Sequence, residues 1–294
     1  MSLQQLESLI EKLKAVPVDP TASVGRKRGA MEKAAFRLDA DIKAEPLSAG
    51  GVPAEWVTAP GADTGRNILY LHGGGYMIGS IKTHRCLAGW ISRAAQARVL
   101  IIDYRLAPEN PHPAAVDDAL AAYRFMLDSG VKPERTVIAG DSAGGGLAVA
   151  TLLAIRDAKL PLPAAAVCLS PWVDMEGSGE SMKTKAALDP MVGSGNLGEM
   201  AAAYLGGAHP RTPLASPLYA DLKGLPPMLI QVGTSEVLLD DSSRLAERVR
   251  QAGVEVVYEP WENMIHVWQI FFPMLDEAKQ AVDRIGEYVR SKTP

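Results

Sequence analysis

Residues 140–146 read GDSAGGG and surround one serine, Ser142, with glycines. An apolar run at 137–139 precedes this stretch and another at 147–155 follows it, which predicts a turn between a strand and a helix. The pattern GxSxG places a serine on such a sharp turn, where glycines avoid collisions with neighbouring elements. The hydroxyl would then project beside the positive end of the helix, as a nucleophile for acyl transfer does.

Two phosphate-binding motifs also use glycine-rich turns, and neither fits this sequence. A Walker loop requires GxxxxGK[ST], and no lysine follows these glycines. A dinucleotide fingerprint requires GxGxxG, whose spacing is absent from GDSAGGG and from HGGGYMIG at 72–79. The serine turn is therefore the better interpretation.

Acyl transfer also needs donors for an oxyanion, and a second glycine stretch provides candidates. His72, Gly73, Gly74 and Gly75 directly follow a predicted strand at 67–71. Glycines let backbone N–H groups approach a substrate oxygen, and Ala143 after the serine adds another N–H. Each such donor contributes about 3 to 4 kcal/mol to the transition state. We interpret His72 as an anchor of this loop rather than as a base.

Ser142 needs a base, and the chain has five histidines. Besides His72, three of them lie at a predicted helix start or beside prolines: His84, His112 and His209. His266 instead follows the last predicted strand, and loops after the carboxyl ends of parallel strands carry function in such sheets. We predict that His266 is the base.

The imidazole needs a carboxylate to orient it and to stabilise its charged form. The loop after a predicted strand at 227–233 offers Glu236, Asp240 and Asp241. Glu236 comes first after the strand, and either aspartate fits as the cap of a helix from Ser243. We predict Glu236, with Asp240 as the alternative.

These residues require a scaffold of alternating strands and helices. Strands are predicted at 67–71, 99–103, 136–139, 164–170, 227–233 and 254–258, and helices at 3–15, 114–127, 143–157, 243–252 and 275–291. Several strands are continuously apolar, which indicates a mainly parallel central sheet with helices on both faces. The pattern loses its strands at about 174–212, which we interpret as an insertion forming a small helical cap. We expect an N-terminal helical cap segment at 1–45 and a catalytic domain at 46–294.

Composition excludes several classes of function. The net charge is −4, without the basic stripe that a nucleic-acid surface needs. No apolar run approaches the roughly 20 residues that span a bilayer, and the N-terminus does not resemble a signal peptide. Two cysteines suggest neither a disulfide scaffold nor a zinc site. We expect a cytoplasmic protein without nucleic-acid or membrane partners.

The chain resembles the hormone-sensitive-lipase-like family of α/β-hydrolases, which includes many bacterial carboxylesterases. The matching stretches are His72–Tyr76, Asp103–Glu109, Pro113–Ala119, Gly140–Gly145, Ser170–Trp172 and Met264–His266. The order serine, acid, histidine is the order of that fold. One departure is that the family usually has an aspartate where this chain has Glu236.

The resemblance implies an α/β-hydrolase fold and a serine carboxylesterase that needs no metal or organic cofactor. It implies that Gly74, Gly75 and Ala143 supply the oxyanion donors while Gly73 holds the turn. It also implies that the segment from Asp103 to Glu109 is structural, with its charges paired in the interior.

The substrate is less evident from the sequence. The small cap predicts short to medium acyl chains, up to about eight carbons, and the candidate pocket residues are Tyr76, Met191, Met200 and Tyr204. Lactones or amides are alternative substrates for the same triad. A non-catalytic receptor on this fold is a further alternative, against which the presence of His266 argues. The last strand is expected at a sheet edge, where a homodimer can form.

Overall fold

The computed structural model describes residues 3–16, 19 and 22–294. In this part of the chain, eight strands form one sheet in the order β1-β2-β4-β3-β5-β6-β7-β8. The strands are β1 (Lys43–Ala49), β2 (Val52–Thr58), β3 (Asp63–Leu71), β4 (Ala97–Ile102), β5 (Thr136–Asp141), β6 (Ala165–Leu169), β7 (Met228–Gly233) and β8 (Val256–Trp261). Strands β3 to β8 pair in parallel, which confirms the predicted fold class.

Helices cover the sheet on both sides. In the described residues the helices are α1 (Leu3–Ala15), α2 (Val24–Ala34), α3 (Ile81–Ala95), α4 (Ala114–Asp128), α5 (Ala143–Asp157), α6 (Ser181–Thr184), α7 (Ser194–Leu205), α8 (Leu239–Gln251) and α9 (Asp276–Lys292), of which α3, α4, α5, α8 and α9 cover the sheet. Leu69 and Leu71 of β3 belong to an apolar cluster on one face of the sheet that also contains residues of α4, α5 and α8. Ile68 and Tyr70, which point to the opposite face, pack with α3 and α9. Among the described residues, no helix has the length and apolarity needed to cross a membrane.

The antiparallel pair β1 and β2 was not predicted. Strand β1 reads KAEPLSA and has a mostly exposed surface, so it lacks the apolar pattern by which the other strands were recognised. It begins at Lys43, which brings the end of the predicted N-terminal segment into the sheet. β2 joins this pair to the parallel strands by pairing with β4.

The N-terminal segment packs in two places. Leu6 and Leu9 of α1 belong to an apolar cluster with Met264 and Ile265, next to His266. α2 has no buried residue. The predicted insertion contains α6 and α7 and no strand of the sheet. The expected segment at 1–45 includes residues 1–2, 17–18 and 20–21, which lie outside the described residues.

Candidate active site

Ser142 occupies the turn between β5 and α5. Its φ of 54° lies in a region that L-residues rarely adopt, and its N–H donates to the Leu169 carbonyl at 2.8 Å. A β-carbon on Gly140 would collide with the carbonyl of Gly144, and one on Gly144 would collide with the carbonyl of Leu71. The glycines are therefore required by the close approach of three backbone segments.

The glycine loop after β3 lies beside this turn. Its Gly73 N–H donates to Asp141 Oδ1 at 3.2 Å, so this group is already bonded and is not available to a substrate. Gly73 belongs to the predicted oxyanion stretch, where the resemblance implied that it holds the turn, and this hydrogen bond agrees with that role. Gly74 and Gly75 have φ of 113° and 60° and line the cavity next to Ser142.

The orientation of the Gly74–Gly75 peptide is set by a turn. The Gly74 carbonyl accepts the N–H groups of Met77 at 3.1 Å and Ile78 at 2.9 Å. In a trans peptide the following N–H points away from the carbonyl, so the Gly75 N–H faces the opposite side from this turn. Ala143 is the first residue of α5, where N–H groups have no acceptor within the helix.

His266 and Glu236 are brought together from separate loops. Nδ1 of His266 lies 3.0 Å from Oε1 of Glu236, and both side chains are buried. With the proton on Nδ1, the other ring nitrogen is free to accept a proton. His266 and Ser142 line the same cavity, which brings all three predicted triad residues to one place.

Ser170 holds Glu236 from the other side. Its hydroxyl donates to Oε2 of Glu236 at 2.8 Å, and the Gly233 N–H donates to the same oxygen at 3.0 Å. The Ser170 oxygen also accepts the N–H of Val267 at 3.2 Å. The serine thus ties the acid loop to the residue that follows His266. Ser170 lies in the stretch Ser170–Trp172 that carries part of the family resemblance, but no role was predicted for its hydroxyl.

The surroundings of His266 favour its charged form. Burial lowers the pKa of the imidazole, but the charge of Glu236 and its hydrogen bond raise it, with smaller contributions from Asp189 and Asp141. The balance puts the pKa of His266 above its ordinary value. The site can therefore stabilise an imidazolium that forms during proton transfer.

Asp240, the alternative acid, points elsewhere. Its Oδ2 accepts the N–H of Ser181 in the insertion at 2.8 Å. Oδ2 of Asp241 accepts the N–H groups of Val173 at 2.9 Å and Asp174 at 3.0 Å. Neither aspartate caps α8 as predicted, because the helix begins at Leu239, before both of them.

A cavity of about 170 Å³ opens in front of Ser142. Its apolar wall comes from α2, from the turn after the glycine loop, from the insertion and from the segment after His266, through Met31, Ile78, Met191, Val192, Leu197, Met200, Val267 and Ile270. Met191 and Met200, two of the predicted pocket residues, are therefore placed in the wall. Met31 was not predicted, because α2 carries no apolar periodicity.

Tyr76 and Tyr204 do not line this cavity. Their rings stack on each other with centroids 3.6 Å apart, and both side chains are buried. Tyr76 has a φ of 59°, and its ring also packs near Trp172. The prediction that Tyr76 and Tyr204 contact the substrate is therefore wrong for this cavity. Their stacked rings are buried beneath the glycine loop instead.

Three further polar residues, His84, Asp141 and Asn196, line the cavity. His84 of α3 and Asp141 face each other, with 3.3 Å between Nε2 and Oδ2. His84 was set aside as part of a helix start, and Asp141 was treated only as part of the GxSxG pattern. Their proximity depends on the packing of α3 against the sheet, which no local signal in the sequence reveals.

Two charges of the segment from Asp103 to Glu109 form ion pairs, but not in the interior, while Asp103 accepts the Ile81 N–H at 2.6 Å. Arg105 donates to Asp118 at 2.7 Å with half of its side chain exposed, and Glu109 pairs with Arg28 at 2.7 Å with 56% of its side chain exposed. The expectation of buried pairs is wrong because the segment runs along the surface. Among the described residues, no group of three or more metal-binding side chains is present.

Comparison with known proteins gives a consistent picture. Residues 68–270 match a family described as having the alpha/beta hydrolase fold. An acetyl-hydrolase of Streptomyces hygroscopicus is 49% identical over 247 residues, which are 84% of this chain and 82% of that protein. An esterase from the bacterial hormone-sensitive lipase family is 51% identical in its crystal structure, with a TM-score of 0.96 over 99% of each chain. The esterase EstE5, soaked with p-nitrophenyl butyrate, is 51% identical with a TM-score of 0.95 over 98% of each chain.

Proposed function

This chain belongs to the hormone-sensitive-lipase-like esterases of the α/β-hydrolase fold and hydrolyses carboxylic esters, and we propose that Ser142, His266 and Glu236 are its catalytic triad. The observation that carries the proposal is the 3.0 Å contact between His266 and Glu236 beside the cavity that exposes Ser142. The triad accounts for the reaction without assistance from a metal or organic cofactor.

The reaction proceeds through an acyl-enzyme. His266 accepts the hydroxyl proton of Ser142 while Oγ attacks the ester carbonyl, and Glu236 stabilises the imidazolium. The N–H groups of Gly75 and Ala143, with that of Gly74, stabilise the oxyanion. His266 then protonates the departing alcohol. Water, activated by the same imidazole, cleaves the acyl-enzyme and restores the serine.

The cap consists of parts of the N-terminal segment and of the insertion at about 174–212. This division is supported by the cavity wall, to which α2 contributes Met31 and the insertion contributes Met191 and Met200. A second cavity of about 450 Å³ lies between the same two segments and shares both Met191 and Met200 with the first. We propose that substrates enter along this route.

The preferred acyl groups are short to medium in length. The inner cavity of about 170 Å³ is small beside typical ligand pockets of about 300 to 1,000 Å³. Its wall is mostly apolar, which suits an aliphatic chain. A series of p-nitrophenyl esters from acetate to palmitate measures this preference. Highest kcat/KM with a long chain would contradict the proposed pocket.

The decisive experiment compares the wild type with Ser142→Ala on a short ester. We expect turnover by the wild type and none above background by the variant, with an unchanged melting temperature. A burst of alcohol release from a slowly deacylated ester is expected for the acyl-enzyme. Activity that survives in Ser142→Ala would overturn the assignment of the nucleophile.

We further propose a homodimer formed through the last strand. β8 pairs with β7 on one side and stands at the edge of the sheet. An exposed edge presents N–H and C=O groups with which a second copy can pair. The molecular mass in solution tests this proposal, and a monomer at micromolar concentration would contradict it.

A cytoplasmic location is also proposed. Cys86 and Cys168 are both free and buried, which suits a compartment that keeps thiols reduced. Cell fractionation against a periplasmic marker protein tests the location. Release of the protein together with that marker would contradict it.

A further inference from the structure

Helix α2 is attached to the rest of the protein by polar contacts. It has no buried residue, so apolar packing does not explain its position. Arg28 provides a set of hydrogen bonds instead. Its Nε donates to the Met77 carbonyl at 2.8 Å, and its Nη2 donates to the Ala107 carbonyl at 3.0 Å. Both Nη atoms also donate to the carboxylate of Glu109, at 2.9 and 2.7 Å.

The two carbonyls that Arg28 contacts belong to neighbouring loops. Met77 lies in the turn that follows the glycine loop, and Ala107 lies in the loop after β4. The Ala107 N–H donates to the Tyr76 carbonyl at 2.8 Å, so the loops are also joined directly. The guanidinium thus holds Met77 directly, through its carbonyl, and holds Tyr76 indirectly, through Ala107. A planar fork with five N–H groups is suited to bridging several acceptors in this way.

Met77 connects Arg28 to the peptide that carries a proposed oxyanion donor. The Met77 N–H is one of the two that bind the Gly74 carbonyl, at 3.1 Å. This bond sets the plane of the Gly74–Gly75 peptide and therefore the direction of the Gly75 N–H. Glycine has no β-carbon to restrict its φ and ψ, so the peptide depends on such external contacts to keep one orientation.

Other residues of α2 contact the same region. Glu32, one helical turn after Arg28, accepts the Ser80 hydroxyl at 3.1 Å and pairs with Lys82 at 3.3 Å. Met31 reaches the wall of the cavity that contains Ser142. The helix therefore contacts the segment after the glycine loop through Arg28 and Glu32, and it contacts the cavity through Met31.

We propose that Arg28 is a positioning residue for the oxyanion loop, so that docking of α2 orients the Gly75 N–H. The proposal rests on the proposed function, because it assumes that this N–H stabilises the oxyanion. Arg28 does not contact the substrate. It acts through Met77 and the Gly74 carbonyl, and its effect falls on the tetrahedral state more than on the bound ester.

The test uses Arg28→Gln, which removes the fork and the charge, and Arg28→Lys, which keeps the charge but cannot bridge both carbonyls and Glu109. Arg93→Gln is the matched control. Arg93 of α3 also links the N-terminal region to the domain, through Asp39 at 3.3 Å and Asp41 at 2.9 Å, without contacting the glycine loop. All variants retain Ser142, Glu236 and His266.

The measurements are kcat and KM for p-nitrophenyl butyrate and the affinity for a trifluoromethyl ketone, whose hemiketal with the serine mimics the tetrahedral state. For Arg28→Gln we expect kcat to fall about tenfold or more, with KM changed less than about twofold. The affinity for the ketone should fall by the same factor as kcat/KM. Arg28→Lys should lie between this variant and the wild type, and Arg93→Gln should match the wild type.

Three outcomes would overturn the proposal. They are unchanged kcat in both Arg28 variants, a rise in KM alone, and a loss of kcat without loss of affinity for the ketone. Thermal melting of each variant shows whether a loss of activity comes from unfolding. If Arg28→Gln unfolds, Arg28→Lys becomes the test variant, because it keeps a positive charge for pairing with Glu109 and loses only the contacts to the two carbonyls. A wild type that is inactive on esters but binds the ketone through Ser142 would contradict the proposed function, while the ketone affinities would still test Arg28.

Discussion

The carboxylate of Asp141 accepts the backbone N–H of Gly73 and joins the serine turn to the glycine loop. The same oxygen accepts the Tyr70 hydroxyl at 2.7 Å, and the other oxygen lies 3.3 Å from Nε2 of His84. Burial raises the pKa of Asp141, but His84 and the hydrogen bond from Tyr70 outweigh this and hold it below its usual value. A buried, ionised carboxylate therefore stands directly before Ser142.

Replacement of this carboxylate tests the connection. We expect Asp141→Ala to lower kcat/KM about 10- to 100-fold, because unpaired buried donors cost about 1 to 3 kcal/mol each and the glycine loop loses its anchor. Asp141→Asn keeps an acceptor oxygen and should lose less. Kinetics with a short ester and a melting curve check both variants. Full activity in a folded Asp141→Ala protein would show that the contact is dispensable.

Glu236 and Asp240 should differ sharply in their effect on the reaction. Glu236→Gln is expected to lower kcat by about 10³- to 10⁴-fold, as loss of the carboxylate does in other triads, because the imidazolium is no longer stabilised. Asp240→Asn removes a contact to Ser181 and leaves the partner of His266 intact, so its loss should be much smaller. The kcat values of the two amide variants decide between the residues, and the reverse ranking would make Asp240 the acid.

The raised pKa of His266 predicts where activity is lost in acid. Protonated His266 cannot accept the proton of Ser142, so kcat/KM should fall as the pH decreases through the pKa of the free enzyme. The midpoint should lie above the ordinary histidine value of about 6.5. Glu236→Gln removes the main raising contribution, so the midpoint of its residual activity should move to lower pH. A midpoint at or below the ordinary value in the wild type would contradict this electrostatic balance.

Asp241 should make stability depend on pH. Burial and the charge of Asp174 raise its pKa to about 8, against the hydrogen bonds from Val173 and Asp174. The folded protein then binds this proton more tightly than the unfolded chain, so the stabilisation is complete below about pH 4 and is lost as the pH rises through the folded pKa.

The amide variant Asp241→Asn cannot ionise and should escape this loss. We expect the free energy of unfolding of the variant minus that of the wild type to be larger at about pH 9 than at about pH 5. Urea unfolding at both pH values measures the difference. Equal differences at the two pH values would mean that Asp241 titrates normally in the folded protein.

Local sequence patterns were sufficient for much of the sheet and for selecting the residues of the proposed triad. The buried parallel strands are continuous apolar runs, and the glycines of residues 140–146 are required by backbone contacts within one turn. Glu236 and His266 were found because loops at the carboxyl ends of neighbouring strands meet at one edge. The structure places them as that argument requires.

Other features depend on contacts between distant residues and left no local pattern. Arg28 is 81 residues from Glu109, and a lone arginine on a polar helix gives no sign of its partner. His84 reaches Asp141 only because α3 packs against the sheet. Tyr76 was predicted as a substrate contact, but its ring is buried and stacks on Tyr204.

The register of the central strands has a further consequence. Leu71 of β3 is aligned with Gly140 of β5, and the glycine loop and the serine turn leave the sheet directly after these two residues. Leu71 and Gly140 are therefore about one inter-strand spacing apart, roughly 4.8 Å, and the backbone ladder fixes the points from which the two loops leave the sheet. Substitutions at the insertion residues that line the cavity, such as Met191 and Met200, therefore leave this spacing between the two loops unchanged. The shape of the substrate space can thus change in the insertion while the points from which the two loops leave the sheet stay fixed.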